Sequence, residues 1–117
     1  MMQVVAVAAG GALGSILRFG VQKMFNLEFP YGTFAVNILG CFLAGWFLAL
    51  FSKGLSPSVF LFLMTGFCGG FTTFSAFSTE SIQMILADRW IHFCLYIIAS
   101  VAGGLMATLL AYKIFSE

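Results

Sequence analysis

Few side chains in this chain can do chemistry, and most of those sit inside apolar runs. Asn37, in YGTFAVNILGCFLAG, is an amide in the middle of such a run. Left unpaired there it would cost several kcal/mol, so it must face a partner, an ion or water. An interhelical hydrogen bond is the plainer of those choices. Arg18 and Glu80 are the ionisable groups within apolar segments. A charge at a bilayer centre costs roughly 2.5–3.5 kcal/mol on insertion scales, which marks both residues as functional candidates. Arg18, near the end of its segment, either snorkels to the interface or draws anions into a vestibule. Glu80 pairs with a Lys, accepts from Ser or Thr hydroxyls, or sits at the interface. Phe74 and Phe77 are three apart and share a helix face, in the polar company of Thr72, Thr73, Ser75, Ser78 and Glu80. In a chain with 15 Phe the default use of such a pair is core or lipid contact. A phenyl ring also has a positive edge, so rings presented edge-on to a pore hold a small anion weakly enough to let it pass. Ser100 and Thr108 fall on nearly one face of a helix, where their hydroxyls face a pathway or bond back to their own backbone.

The elements that carry these residues follow from composition. The chain has 117 residues, of which 62% are hydrophobic, 17% aromatic and 8% charged. Soluble domains carry roughly a quarter charged residues, so water is not the main solvent here. At about 20 apolar residues per span the length allows four crossings and no further domain, which excludes an appended soluble enzyme. The expected fold is an all-α integral membrane protein with spans near residues 2–25, 32–51, 57–87 and 92–112. A net charge of +1 offers no field for nucleic acid. Cys41, Cys68 and Cys94 lie in apolar runs without metal-ligand spacing and read as small buried hydrophobes.

The third segment is too long for one simple span. As a straight helix, residues 57–87 would run roughly 46 Å against a hydrocarbon core of about 30 Å. Its middle, GFCGGFTTFSAFSTE, collects Gly66, Gly69 and Gly70 beside Thr72 and Thr73, where a helix unwinds most cheaply. A broken third helix is predicted, interrupted at residues 69–73. Irregular backbone at membrane depth survives only where it is buried in protein or lines a watery cavity, so a break implies a site. The Gly10/Gly14 and Gly66/Gly70 pairs, with Ala99, Gly103 and Ala107, have the spacing that lets membrane helices approach closely.

Orientation is weakly encoded. Lys53 and Lys113 on one side balance Arg18, Lys23 and Arg89 at or towards the other, which gives the insertion machinery little instruction. A chain inserting both ways forms an antiparallel homodimer, making from two copies the inverted repeat that larger transporters carry in one chain.

With GGALGSILRF at 10–19, YGTFAVNILG at 31–40 and GFCGGFTTFSAFS at 66–78, the chain resembles the Fluc (CrcB-type) fluoride channel family along its whole length. The resemblance implies a dual-topology antiparallel homodimer in the bacterial inner membrane. It also implies parallel fluoride pathways and a structural sodium ion held where the broken helices cross. By the same resemblance Gly69 and Thr72 give backbone carbonyls to the sodium, Phe74 and Phe77 form a phenylalanine box, and Asn37 is a pathway amide. Glu80 is then the helix-three glutamate and Arg18 the vestibule arginine. Ala76 stands where the family often has Thr and Gly104 where it often has Ser, departures from its polar track that leave the Phe pair, Asn37, the break and Ser100 with Thr108 intact, Thr73 and Ser75 being further pathway residues.

The function expected is therefore a passive fluoride channel, with fluoride, membrane lipid and a second copy as partners and no enzyme chemistry. Two alternatives stand beside it. A small dual-topology proton-coupled multidrug exporter also has four spans, but needs a membrane-embedded carboxylate, typically on the first helix; this chain has none there, and Glu80 could in principle serve instead. A non-transporting assembly subunit would use the glycine motifs alone.

Overall fold

The computed structural model describes every residue from Met1 to Glu117, and its only regular elements are helices. Helix α1 is Met2–Phe25 and α2 is Tyr31–Ser52. The third span divides into α3 (residues 57–71) and α4 (Phe74–Leu86), and α5 is Trp90–Ser116. The four spans are each long and apolar enough to cross a membrane. The last helix starts two residues before the expected 92 and continues past Tyr112 to Ser116, because the interfacial residues Trp90, Ile91 and Lys113 keep helical geometry beyond the apolar run.

Local signals explain the starts and stops. Ser56 caps α3 by accepting from Val59 N–H, with Pro57 pre-set at the first helical position. Gly54 takes φ +103° in the turn before it. The α1–α2 connection is a tight hairpin in which Asn26 and Pro30 bridge and Leu27 N–H donates to Phe29 C=O. Between α4 and α5 Asp88 adopts φ +57°, and Arg89 N–H donates to Met84 C=O to close the helix end.

The helices form a slab 48 × 31 × 19 Å, with α2 laid along α5 and α1 along α3. Only 20 of 117 residues are buried, because the outward faces, Ile16, Phe19, Ile98 and Leu105 among them, are made for lipid. The α1–α3 contact is backbone against backbone. A Cβ on Gly14 would collide with the carbonyl of Phe67, one on Gly10 with that of Phe62, and one on Gly70 would lie 2.5 Å from the carbonyl of Gly11. The two glycine pairs thus serve each other across one interface, the close approach their spacing predicts.

That finding corrects the expected position and cause of the break. Gly69 and Gly70 remain helical, preceded by widened π-type turns over Leu61–Cys68. The extended residues are Thr72 (φ −88°, ψ 157°) and Thr73 (φ −147°, ψ 116°). The interruption is narrower than residues 69–73. Gly66 and Gly70 act by admitting α1, whereas the two β-branched threonines, which favour extended backbone, carry the change of direction.

Candidate functional site

A break frees backbone groups, and each must find a new partner. In a continuous helix Thr73 N–H would donate to Gly69 C=O. Here it donates to Asn37 Oδ1 at 2.8 Å, while Asn37 Nδ2 donates to Thr73 C=O at 3.1 Å. One amide on α2 therefore satisfies both peptide groups of the extended residue. Thr73 Oγ1 accepts from Ala76 N–H at 3.1 Å and so caps α4, and it lies 3.3 Å from Ser75 Oγ. On the other side of the break Thr72 Oγ1 donates to Cys68 C=O at 2.8 Å. Arg18 does not reach for the interface: its Nε donates to Gly70 C=O at 2.8 Å, a positive charge on the C-terminal end of α3.

The Phe pair is split by the surface of the protomer. Phe77 is 8% exposed and packs on Tyr96 with ring centroids 5.0 Å apart. Phe74, one turn earlier, is 80% exposed, its centroid 5.9 Å from that of Phe77. Ser75, Ser78 and Thr79 are exposed with it. This polar strip lies near the middle of a span, on a face that no other helix of the chain covers.

Beyond Phe77 a second polar cluster surrounds Glu80. Thr33, fully buried on α2, donates its hydroxyl to Glu80 Oε2 at 2.7 Å. Tyr96, fully buried on α5, donates to Glu80 Oε1 at 2.9 Å. Asn26 Nδ2 lies 3.2 Å from Oε2 and 3.1 Å from Thr33 Oγ1, and Gln22 Nε2 donates to Thr33 Oγ1 at 3.0 Å. With two amides filling the lone pairs of Thr33 Oγ1, its single proton must go to the carboxylate. Asn26 Oδ1 accepts from Thr33 N–H at 3.0 Å, which ties the α1–α2 hairpin to the start of α2. No Lys or Arg takes part. Phe29 packs edge-on against Tyr96 at 5.3 Å and fixes the ring.

Of the α5 hydroxyls, Thr108 Oγ1 donates across to Cys41 C=O at 2.8 Å. Ser100 Oγ is buried and has no partner, although its own helix offers a carbonyl one turn back. It lies one turn beyond Tyr96 on the same face. The structure thus gathers Asn37, Thr73, Phe77 and Glu80 about the second half-helix, with Ser100 one turn along α5 from the Tyr96 that bonds to Glu80. Arg18 is set at the end of the first half-helix, and Phe74 and Ser75 on the uncovered face.

Sequence reasoning missed Gln22, Asn26, Thr33 and Tyr96. A signal was present: Gln22/Asn26, Thr33/Asn37 and Tyr96/Ser100 are each spaced by four, so polar residues repeat at one helical turn along three different spans. No three His, Cys, Asp or Glu side chains converge as metal ligands. Oxygen donors for a cation would be backbone carbonyls, and the break supplies candidates: Gly69 C=O has lost Thr73 N–H to Asn37, and Thr72 C=O lies in the extended segment.

Comparison with known proteins is consistent along the chain. The model of a family described as CrcB-like protein, Camphor Resistance (CrcB), matches residues 5–112. A protein of Flavobacterium psychrophilum named fluoride-specific ion channel FluC is 46% identical over 92% of both chains. Proteins of the same name from Rhizobium johnstonii and Chloroflexus aurantiacus are 44% and 41% identical, over 93% and 94% of this chain and 92% of their own.

Proposed function

We propose that this chain, which belongs to the CrcB-like protein family, is a passive fluoride-selective channel that lets the anion leave a bacterial cell across the inner membrane and so limits its toxicity. Relatives named as fluoride-specific channels over nine-tenths of its length support the substrate. The observation that carries the geometry is the position of Phe77. Its buried ring sits between the Asn37–Thr73 pair on one side and the Thr33–Glu80–Tyr96 cluster on the other.

Fluoride sheds water only where donors replace it. Asn37 spends one amide hydrogen on Thr73 and keeps the other, Ser100 Oγ is an unpaired hydroxyl, and the Tyr96 and Thr33 hydroxyls point at a carboxylate that an arriving anion can rival. The ring edges of Phe77 and Phe74 span the gaps with attraction too weak to trap an ion. Neutral donors and rings need no coupled proton or second ion, so transport is downhill. A proton-coupled exporter would instead need a carboxylate free to trade its proton for substrate, whereas both oxygens of Glu80 are already held by hydroxyl donors.

The functional unit is an antiparallel homodimer. A slab 19 Å thick is too thin to enclose a path, and Ser75, Ser78 and Thr79 put hydroxyls beside the exposed ring of Phe74 on a face at membrane depth that suits a protein partner better than lipid. A second copy crossing at the break covers it. There the carbonyls of Gly69 and Thr72, with those of the partner, would hold a structural sodium ion, whose hard-cation chemistry suits neutral oxygen donors and ties the copies together.

Vesicles containing only this chain, loaded with fluoride and monitored with a fluoride electrode, test the function. Rapid release that needs no proton gradient is expected. Absence of release, or proton-driven export of organic cations, would overturn it.

A further inference from the structure

The track ends in a cavity of about 290 Å³ between the α1–α2 hairpin and the C-terminal end of α4. Its wall includes Asn26, Glu28, Pro30, Glu80, Gln83 and Arg89. Glu80 and Asn26 belong to the hydrogen-bonded cluster and Glu28 is 92% exposed, so one cavity wall joins that cluster to the aqueous surface. Besides Glu80, the ionisable groups of the wall are the exposed Glu28 and the part-exposed Arg89, with Arg89 Nη2 lying 3.9 Å from Glu28 Oε2. Such an exposed pair at that distance contributes little to stability. Both side chains therefore stand at the rim chiefly as sources of potential.

We propose that this cavity is the aqueous mouth of the conduction path on the hairpin side, with Arg89 recruiting the anion and Glu28 opposing it. This rests on the channel reading above. The rim places one cation and one anion beside the same opening, so neutralising each has an opposite consequence for an entering fluoride. A unit charge about 10 Å from the ion in water changes its local concentration roughly twofold, and salt removes the effect.

Fluoride efflux from proteoliposomes at roughly 10 mM and roughly 0.5 M background salt tests the assignment, these spanning Debye lengths from about 30 Å to a few ångström. At low salt Arg89→Gln is expected to lower flux about twofold and Glu28→Gln to raise it about twofold, with both returning to the wild-type rate at high salt. A merely structural ion pair would make both variants shift the same way and persist in salt. That outcome, or no shift in either, overturns the proposal. Independently, Gln83→Trp fills the cavity and should reduce flux at least tenfold, while Ile82→Trp, on the neighbouring outward position, should not. Wild-type flux in Gln83→Trp, or equal loss in both, overturns it. A wild-type chain that passes no fluoride would sink the channel reading instead, so the two failures are distinguishable.

Discussion

Replacing Thr33 by Val keeps shape and volume and removes one hydroxyl, with three hydrogen bonds lost at once. Glu80 loses its 2.7 Å donor, Gln22 loses its acceptor, and Asn26 keeps only Glu80 for its amide. A hydrogen bond to a charged acceptor is worth about 1.5–3 kcal/mol and a stranded buried amide costs about 1–3. Interhelical hydrogen bonds in membrane proteins average nearer 0.6 kcal/mol, because the membrane-unfolded state also finds partners. Combining the two scales, Thr33→Val should destabilise by about 2–4 kcal/mol, which is at least a 30-fold change in the unfolding equilibrium. Reversible unfolding by a denaturing detergent, followed by the fluorescence of Trp46 and Trp90 at fixed protein concentration, measures it. Thr33→Ser restores the donor and should recover all but about 1 kcal/mol. A Val variant within about 0.5 kcal/mol of wild type, or a Ser variant as damaged as Val, would refute the view that this hydroxyl organises the Glu80 cluster.

Other outcomes follow from separate parts of the structure. Phe77→Ile fills most of the ring's space without its positive edge, so fluoride efflux should fall at least tenfold while the protein elutes as wild type does; an unchanged rate would remove the ring from the mechanism. Gly14→Val drives a branched side chain into the Phe67 carbonyl and should cost more than about 3 kcal/mol, read as loss of folded protein on size exclusion. Arg18→Met frees Gly70 C=O and removes the charge at the end of α3, with a loss of about 1 kcal/mol in the same unfolding assay, since Arg18 is partly exposed. Asn37→Asp keeps the acceptor for Thr73 N–H but turns the donor facing Thr73 C=O into a second acceptor, so both stability and flux should drop together.

What could be read in the sequence divides along a physical line. Apolar runs bounded by charges and turn residues located the spans, because length against bilayer thickness is a strong constraint. The excess length of residues 57–87 and the doubled threonine announced the break, yet glycine was credited with it on intrinsic propensity. Gly66 and Gly70 instead face Gly10 and Gly14, a tertiary demand that no single-segment propensity contains. Asn37 declared itself by being polar in apolar company, but its partner did not, since pairing with Thr73 depends on how α2 meets the break. Glu80 was visible as a charge, whereas Thr33 and Tyr96 passed as ordinary helix residues. Their meaning emerges only when α2, α4 and α5 bring them within hydrogen-bonding distance. The exposure of Phe74 beside a buried Phe77 was likewise hidden, because spacing puts both on one helical stripe and only packing decides where the protomer's edge cuts it.

The reciprocal bonding between Asn37 and Thr73 amounts to a single rung of β-ladder built from a side chain. A carboxamide repeats the donor–acceptor layout of a peptide unit, so α2 lends the interrupted chain a surrogate strand. Aspartate offers no N–H, glutamine is a methylene too long, and serine or threonine cannot span both groups at once. The position therefore has one chemical solution. In a saturation library selected for growth on toxic halide, residue 37 should collapse to a single letter while the lipid-facing positions around it drift freely among hydrophobes.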